Sequence, residues 1–222
     1  MARLVLVLFW AAAVADVLGL AMGLPLLHWV AKPLLMPLLL AYAVVSADRR
    51  KTVRWLLFGL VLAWLADIAL LPPGTVWFLG GMALFGAMQV CYIRVFVAVG
   101  APDRMRQRWG VPAVLFTVLV VAVAVLGPAM GWLAVPVTLY GLLLTTMASL
   151  AAGVRWSVAV GGSLFVLSDM LIGLELAAVD FAGREPAVMA TYTLAQFLIV
   201  TGCSRVPPRS HDTSHTPARS RR

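Results

Sequence analysis

An all-α bundle of eight membrane-spanning helices is the fold this sequence predicts, and three observations predict it. Of 222 residues, 63% are apolar and 12% are charged, against about 25% charged in ordinary soluble domains. The apolar runs are hydrophobic on all sides and approach the roughly 20 residues that a bilayer crossing requires. The basic residues fall in alternate connections between those runs.

Taken in order, the expected spans are 3–22, 31–46, 53–71, 76–98, 111–127, 131–150, 155–175 and 187–203. Breakers separate several of them: LPPG at 71–74, VGAP at 99–102, GPAMG at 127–131 and GREP at 183–186. The second span is short and holds Pro33 and Pro37. Pro33 is expected in its first turn, while Pro37 should kink the helix or free a backbone carbonyl. The first span follows Arg3, as a signal peptide's apolar region would. Its length and its Asp16 mark it as a retained helix. Residues 1–203 are thus expected as one transmembrane domain. Residues 204–222, polar, basic and Pro-containing, are expected as a disordered cytoplasmic tail that includes His211 and His215.

Charge orients the bundle. Fifteen of the seventeen Lys and Arg residues fall on one side: Arg3, Arg54 and the 49–51 cluster, Arg94 to Arg108, Arg155 and the tail. Lys32 and Arg184 fall on the other. By the positive-inside rule both termini are cytoplasmic, and a bacterial cytoplasmic membrane is the expected location. The net charge of +8 then reports topology and contact with membrane lipids. No nucleic-acid partner is expected. Cys91 and Cys203 lie in or at the ends of spans and imply neither a disulfide framework nor a metal site.

The informative residues are the charges inside apolar runs. Asp67 interrupts LLFGLVLAWLADIALL (56–71) and Asp169 interrupts VAVGGSLFVLSDMLIGL (158–174). A charge at mid-membrane costs roughly 2.5–3.5 kcal/mol, so such groups face a bundle interior or a polar cavity. Asp67 lies about 6 Å from the outer end of its helix, and Asp169 and Asp16 about 10 Å from theirs. Lys32 begins the second span on that same side. Gln196 falls near mid-membrane, with Gln89 somewhat below it. Small residues share each acid's face: Ala12, Asp16, Gly19 and Gly23; Gly59, Ala63 and Asp67; Gly162, Asp169 and Gly173. Such stripes let helices pack closely, which turns the acids away from lipid.

Several polar residues admit two readings. Asp16 and Lys32 form either part of the site or an ion pair that fixes packing. Tyr92, Tyr140 and Tyr192 are pocket residues or packing aromatics, and Gln89 and Gln196 line a pocket or bridge helices. Tyr192 and Gln196 share one face, as do Thr138, Thr145 and Ser149, the last two expected to bond back to their own helix. Glu175 and Asp180 are expected to be solvated, and His28 to sit in an interfacial loop. No phosphate loop, HExxH, CxxC or G-x-S-x-G motif is present, and Ser168 has no intramembrane histidine to serve as its base. What remains is acid–base chemistry by Asp67 and Asp169, with no cofactor and no metal expected.

The segments AKPLLMPLLL (31–40), LADIALL (65–71), FGAMQVCYI (85–93), GGSLFVLSDMLIG (161–173) and TYTLAQFLIV (191–200) resemble, in order, those of the YhhN-like lysoplasmalogenase family. The resemblance implies eight membrane helices and hydrolysis of the vinyl ether bond of lysoplasmalogens. The products would be a fatty aldehyde and glycerophosphoethanolamine or glycerophosphocholine. It also implies that the family's paired acids correspond to Asp67 and Asp169, and its basic residue to Lys32. Gln89 stands where a histidine is expected, and an amide cannot relay a proton.

The residues fit that chemistry. One neutral carboxyl protonates the alkene carbon; a second, ionised, stabilises the cation and deprotonates water. A lysophospholipid is therefore the expected partner, with Lys32 on its phosphate or beside an aspartate. Gln196 and Tyr192 would line the pocket, alongside Gln89, Tyr92, Tyr140 and Asp16. Two other readings stay open: a proton-coupled solute carrier and a non-catalytic lysolipid-binding protein.

Overall fold

The structure, a computed structural model, describes residues 1–46 and 51–205. It consists of α1 (Ala2–Ala21), α2 (Pro25–Ser46), α3 (Lys51–Ala69), α4 (Thr75–Ala98), a short α5 (Ala101–Met105), α6 (Gly110–Met130), α7 (Ala134–Ala151), α8 (Trp156–Leu176) and α9 (Arg184–Cys203). Single 3₁₀ turns at Arg106–Arg108 and Gly131–Leu133 precede α6 and α7. Among the described residues eight helices run 18 to 24 residues. Six stretches are long and apolar enough to cross a membrane, one of them the 42-residue Gly110–Ala151 that contains α6 and α7. The expected tail lies outside the described residues from 206 onward, as do Arg49 and Arg50.

The helices do not pack simply in chain order. A ring runs α1, α2, α3, α4, α7, α8, α9 and closes by packing α9 on α1. Here α4 neighbours α7, which leaves α6 outside the ring, leaning on α7 and lightly on α8. Not one residue of α6 is buried. The interior is filled by Phe9, Leu35, Leu60, Met88, Phe96 and Phe165, all fully buried.

Gly19, Gly59 and Gly162 of the small-residue stripes sit at close contacts, whereas Gly23 and Gly173 do not. At Gly59 a Cβ would lie 2.8 Å from the Tyr92 ring, and at Gly162 it would lie 2.9 Å from Ala151 Cβ. These glycines admit an aromatic ring and a neighbouring helix where a methyl group would collide.

Two sequence expectations need correction. The second helix begins at Pro25, six residues before the expected start. The signal was present in Gly23–Leu24–Pro25, a breaker followed by proline at the first helical position. Pro33 therefore lies inside the helix rather than in its first turn, and His28 is helical rather than part of a loop.

Pro37 cannot donate to the carbonyl four residues back, which is that of Pro33. The freed Pro33 oxygen accepts a bond of 3.0 Å from Trp64 Nε1 on α3. Trp64→Phe deletes that donor and leaves the carbonyl facing hydrocarbon. We expect a loss of about 1 kcal/mol, read as a lower unfolding midpoint in detergent.

Arg104 and Arg108, which sequence assigns to topology alone, also have local work. Arg104 Nε donates to the Gly153 carbonyl at 2.7 Å and Arg108 Nη1 to that of Ala152 at 3.3 Å. They satisfy carbonyls just past the C-terminus of α7, where cations are favourable.

Candidate active site

Four turns meet at one end of the bundle: those after α1, α3 and α8, and the one before α7. They surround a cavity of about 700 Å³. Its charged lining comes from His28 and Lys32 on α2, Glu175 on α8, and Arg184 and Glu185 on α9. Arg184 is buried and pairs with Glu175 at 2.7 Å and with Asp180 at 2.9 Å. The hydrogen bond from Arg184 holds the exposed Asp180 carboxyl below the ordinary carboxylate range. That pair therefore persists as pH falls toward the usual carboxylate range and is lost below it. Glu175 and Asp180 are exposed as expected, but each is ion-paired.

Asp16 does not pair with Lys32. Its fully buried carboxylate accepts a 2.7 Å bond from His28 Nδ1, and its second oxygen has no partner among the described residues. Lys32 follows His28 by one helical turn on the cavity face and forms no ion pair among the described residues. The charges of Lys32, Asp16 and His28 all act on Asp67.

Each of the two central acids has its own tyrosine. Tyr192 Oη on α9 donates to Asp67 Oδ2 at 2.8 Å, and Tyr140 Oη on α7 donates to Asp169 Oδ2 at 2.5 Å. No hydrogen bond joins the two carboxylates. Asp67 is 2% exposed and lines none of the three cavities described here, whereas Asp169 is half-buried and lines two of them. Tyr192 sits edge-on to Phe85 and Phe165, with ring centroids 5.6 Å apart in both pairs. Phe85 in turn lines a cavity beside Asp169. This aromatic cluster fixes the tyrosine that holds Asp67.

A small cavity of about 50 Å³ around Asp169 shares Leu70, Phe78, Ile172 and Leu176 with the large charged one. On its other side it shares Tyr140, Asp169 and Gly173 with an apolar groove between α6, α7 and α8. Asp169 thus lines the apolar groove and the small cavity, and the small cavity in turn adjoins the charged one.

The remaining polar residues form a third cluster. Tyr92 Oη donates to Gln196 Oε1 at 2.8 Å, and Gln196 Nε2 contacts Met88 Sδ at 3.3 Å. The two tyrosines named for α4 and α9 are therefore hydrogen-bonded as well as packed. Gln89 is fully buried beside Tyr140, and neither its amide oxygen nor its nitrogen has a hydrogen-bond partner among the described residues. Thr138 bonds back to the Ala134 carbonyl at 2.6 Å, but Ser149 Oγ is buried without a partner, contrary to the expectation of back-bonding. Ser168 donates to the Val188 carbonyl at 3.1 Å, which occupies it structurally.

Sequence reasoning missed two contributors, His28 and Arg184. His28 was obscured by the late helix start, though its spacing of four from Lys32 places both on one face once that helix begins at Pro25. Arg184 carried no signal beyond its position among the few basic residues on that side.

Neither a curated protein nor a solved structure matches the chain. The motifs around Lys32, Asp67, Gln89, Asp169 and Gln196 all lie within residues 27–203, which match the model of the YhhN family, and the chain belongs to that family.

Proposed function

We propose that the protein is an integral membrane hydrolase of the lysoplasmalogenase type. It would cross the bilayer eight times with both termini cytoplasmic, a reading supported by the alternation of basic connections. The observation that carries the proposal is the position of Asp169, half-buried at the apolar groove and separated from the charged cavity by one small cavity that it also lines. A single-chain phospholipid has its vinyl ether at the corresponding junction, between the headgroup and the chain.

In this reading the glycerophosphate end occupies the large cavity, with Lys32 and His28 facing the phosphate. Asp169 transfers its proton to the alkene carbon one removed from the ether oxygen. The carbon bonded to oxygen becomes an oxocarbenium centre, which the new carboxylate stabilises at close range. Water adds to that carbon and gives its proton back to Asp169. The hemiacetal then breaks its bond to the glycerol oxygen, yielding a fatty aldehyde and the glycerophospho-alcohol, with one water consumed. Tyr140 orients the carboxyl and supports its anion. Asp67, enclosed behind Tyr192, acts as a positioning group through its charge toward Lys32 and His28. Gln89, Tyr92 and Gln196 shape the inner wall.

The test is aldehyde release from lysoplasmenylethanolamine by detergent-purified protein. Equal amounts of aldehyde and glycerophosphoethanolamine are expected. Lipid retained without aldehyde would instead make the protein a lysolipid binder. Proton-dependent flux in liposomes without lipid turnover would make it a carrier.

A further inference from the structure

The groove between α6, α7 and α8 is unusual in what it leaves uncovered. The stripe Leu115, Val118, Ala122, Leu126 and Met130 faces it from α6, yet no residue of that helix is buried. Among the described residues nothing fills the space. At Gly127 a Cβ would find its nearest neighbour at 3.8 Å, and at Gly173 the nearest atom, Met130 Cε, is also at 3.8 Å. Both positions have room for a larger side chain, and both are helical glycines, a residue that weakens a helix relative to alanine. Close helix packing explains Gly161 and Gly162 but not these two. Space kept open by small residues along an apolar wall is space for a ligand that is itself apolar.

Length and continuity identify the ligand. From Leu115 to Met130 the stripe spans about 22 Å at 1.5 Å per residue, more than the roughly 15 Å depth of one leaflet. The stripe is as long as a lipid chain, and the groove along it has a volume of about 90 Å³. The groove adjoins the small cavity at Tyr140, Asp169 and Gly173, and that cavity adjoins the charged one at Leu70, Phe78, Ile172 and Leu176. An occupant with a chain on one side and a charged head on the other matches the order of the three spaces. Helix α6 meets α8 at few residues, so the seam between them is loosely packed.

We propose that this groove is the hydrocarbon-chain subsite. The chain of a single-chain lipid slips in laterally between α6 and α8, and Leu115 and Val118 at the inner end set the longest chain accepted. The assignment rests on the hydrolase reading of Asp169 and adds to it the residues that select the substrate's chain.

The test compares kcat/KM for aldehyde release from lysoplasmenylethanolamines of short and of leaflet-long chain. Val118→Trp places a bulky ring at the inner end, where Val118 lines the groove although 40% exposed; Val121→Trp, 54% exposed and outside the groove lining, serves as control. Val118→Trp is expected to lower kcat/KM for the long chain about tenfold and to spare the short one, with the control unchanged. Equal losses on both chains, or none on either, overturn the assignment.

Should the native protein release no aldehyde from either lipid, the hydrolase reading falls and the groove is judged separately. A lysophosphoethanolamine carrying a diazirine near its chain end is then photolysed on the protein. Labelling of α6 and α7 that Val118→Trp abolishes keeps the chain subsite. Labelling elsewhere, or labelling unchanged in that variant, overturns it.

Discussion

Asp169→Asn is expected to lower aldehyde release about a thousandfold, in the range of general acid–base contributions, while the protein still inserts and folds. The amide fills the same volume and can still hydrogen-bond to Tyr140, so packing is preserved. It cannot deliver a proton to carbon, nor can it stabilise an oxocarbenium ion as an anion would. Tyr140→Phe removes the bond to the carboxylate but leaves the acid. Its expected loss is about tenfold to a hundredfold, the rate equivalent of about 1.5–3 kcal/mol for a hydrogen bond to a charged group. Asp67→Asn should fall between native protein and Asp169→Asn, because Asp67 is enclosed by Tyr192 and reaches no cavity described here. Initial rates of aldehyde release for the three variants, beside thermal unfolding in detergent, check this ranking. Equal loss at Asp67 and Asp169 would mean that both carboxyls reach the reacting atoms.

Gly161→Val is expected to cost heavily in stability. A Cβ at Gly161 would lie 2.9 Å from the Ala195 carbonyl oxygen and 3.2 Å from the Ile199 backbone nitrogen. Those atoms belong to the α9 backbone, which cannot step aside as a side-chain tip can. Helices α8 and α9 would have to separate, and α9 carries both Tyr192 and Gln196. A loss of about 3 kcal/mol, the upper end of overpacking costs, is expected. Gly80→Ala provides the contrast, since nothing lies within 4 Å of a Cβ there. The relative survival of folded protein on heating in detergent separates the two. If Gly161→Val melts with native protein, the α8–α9 contact is looser than this geometry requires.

How far these features could be read from sequence depends on the range of the interaction. Asp16, Asp67 and Asp169 declare themselves, because a carboxylate in an apolar run has few reasons to be there. Their partners do not. The bonds from Tyr192 to Asp67 and from Tyr92 to Gln196 join residues 125 and 104 positions apart, and no local pattern encodes such a pairing. Asp16 has His28 for a partner instead of Lys32, and a helix start placed six residues late was enough to hide it. The eight long helices follow from composition, but the exclusion of α6 from the ring does not. A helix apolar on every face gives no clue to which face will be covered. The glycines are intermediate. Their spacing marks a packed face, while the difference between a filled contact at Gly162 and an open one at Gly173 belongs to the fold.

The ring closes between α1 and α9, so synthesis must reach α9 before it can form. At roughly 5–20 residues per second, the ribosome makes Tyr192 about 6–25 s after Asp67, given the 125 positions between them. For that interval the nascent chain carries a carboxyl whose covering tyrosine does not yet exist. The helix that covers it is the last of the described ones, so a chain stopped before α9 leaves the acid bare. A copy that stops between Asp67 and α9 therefore carries a carboxyl in an apolar helix with no tyrosine to cover it.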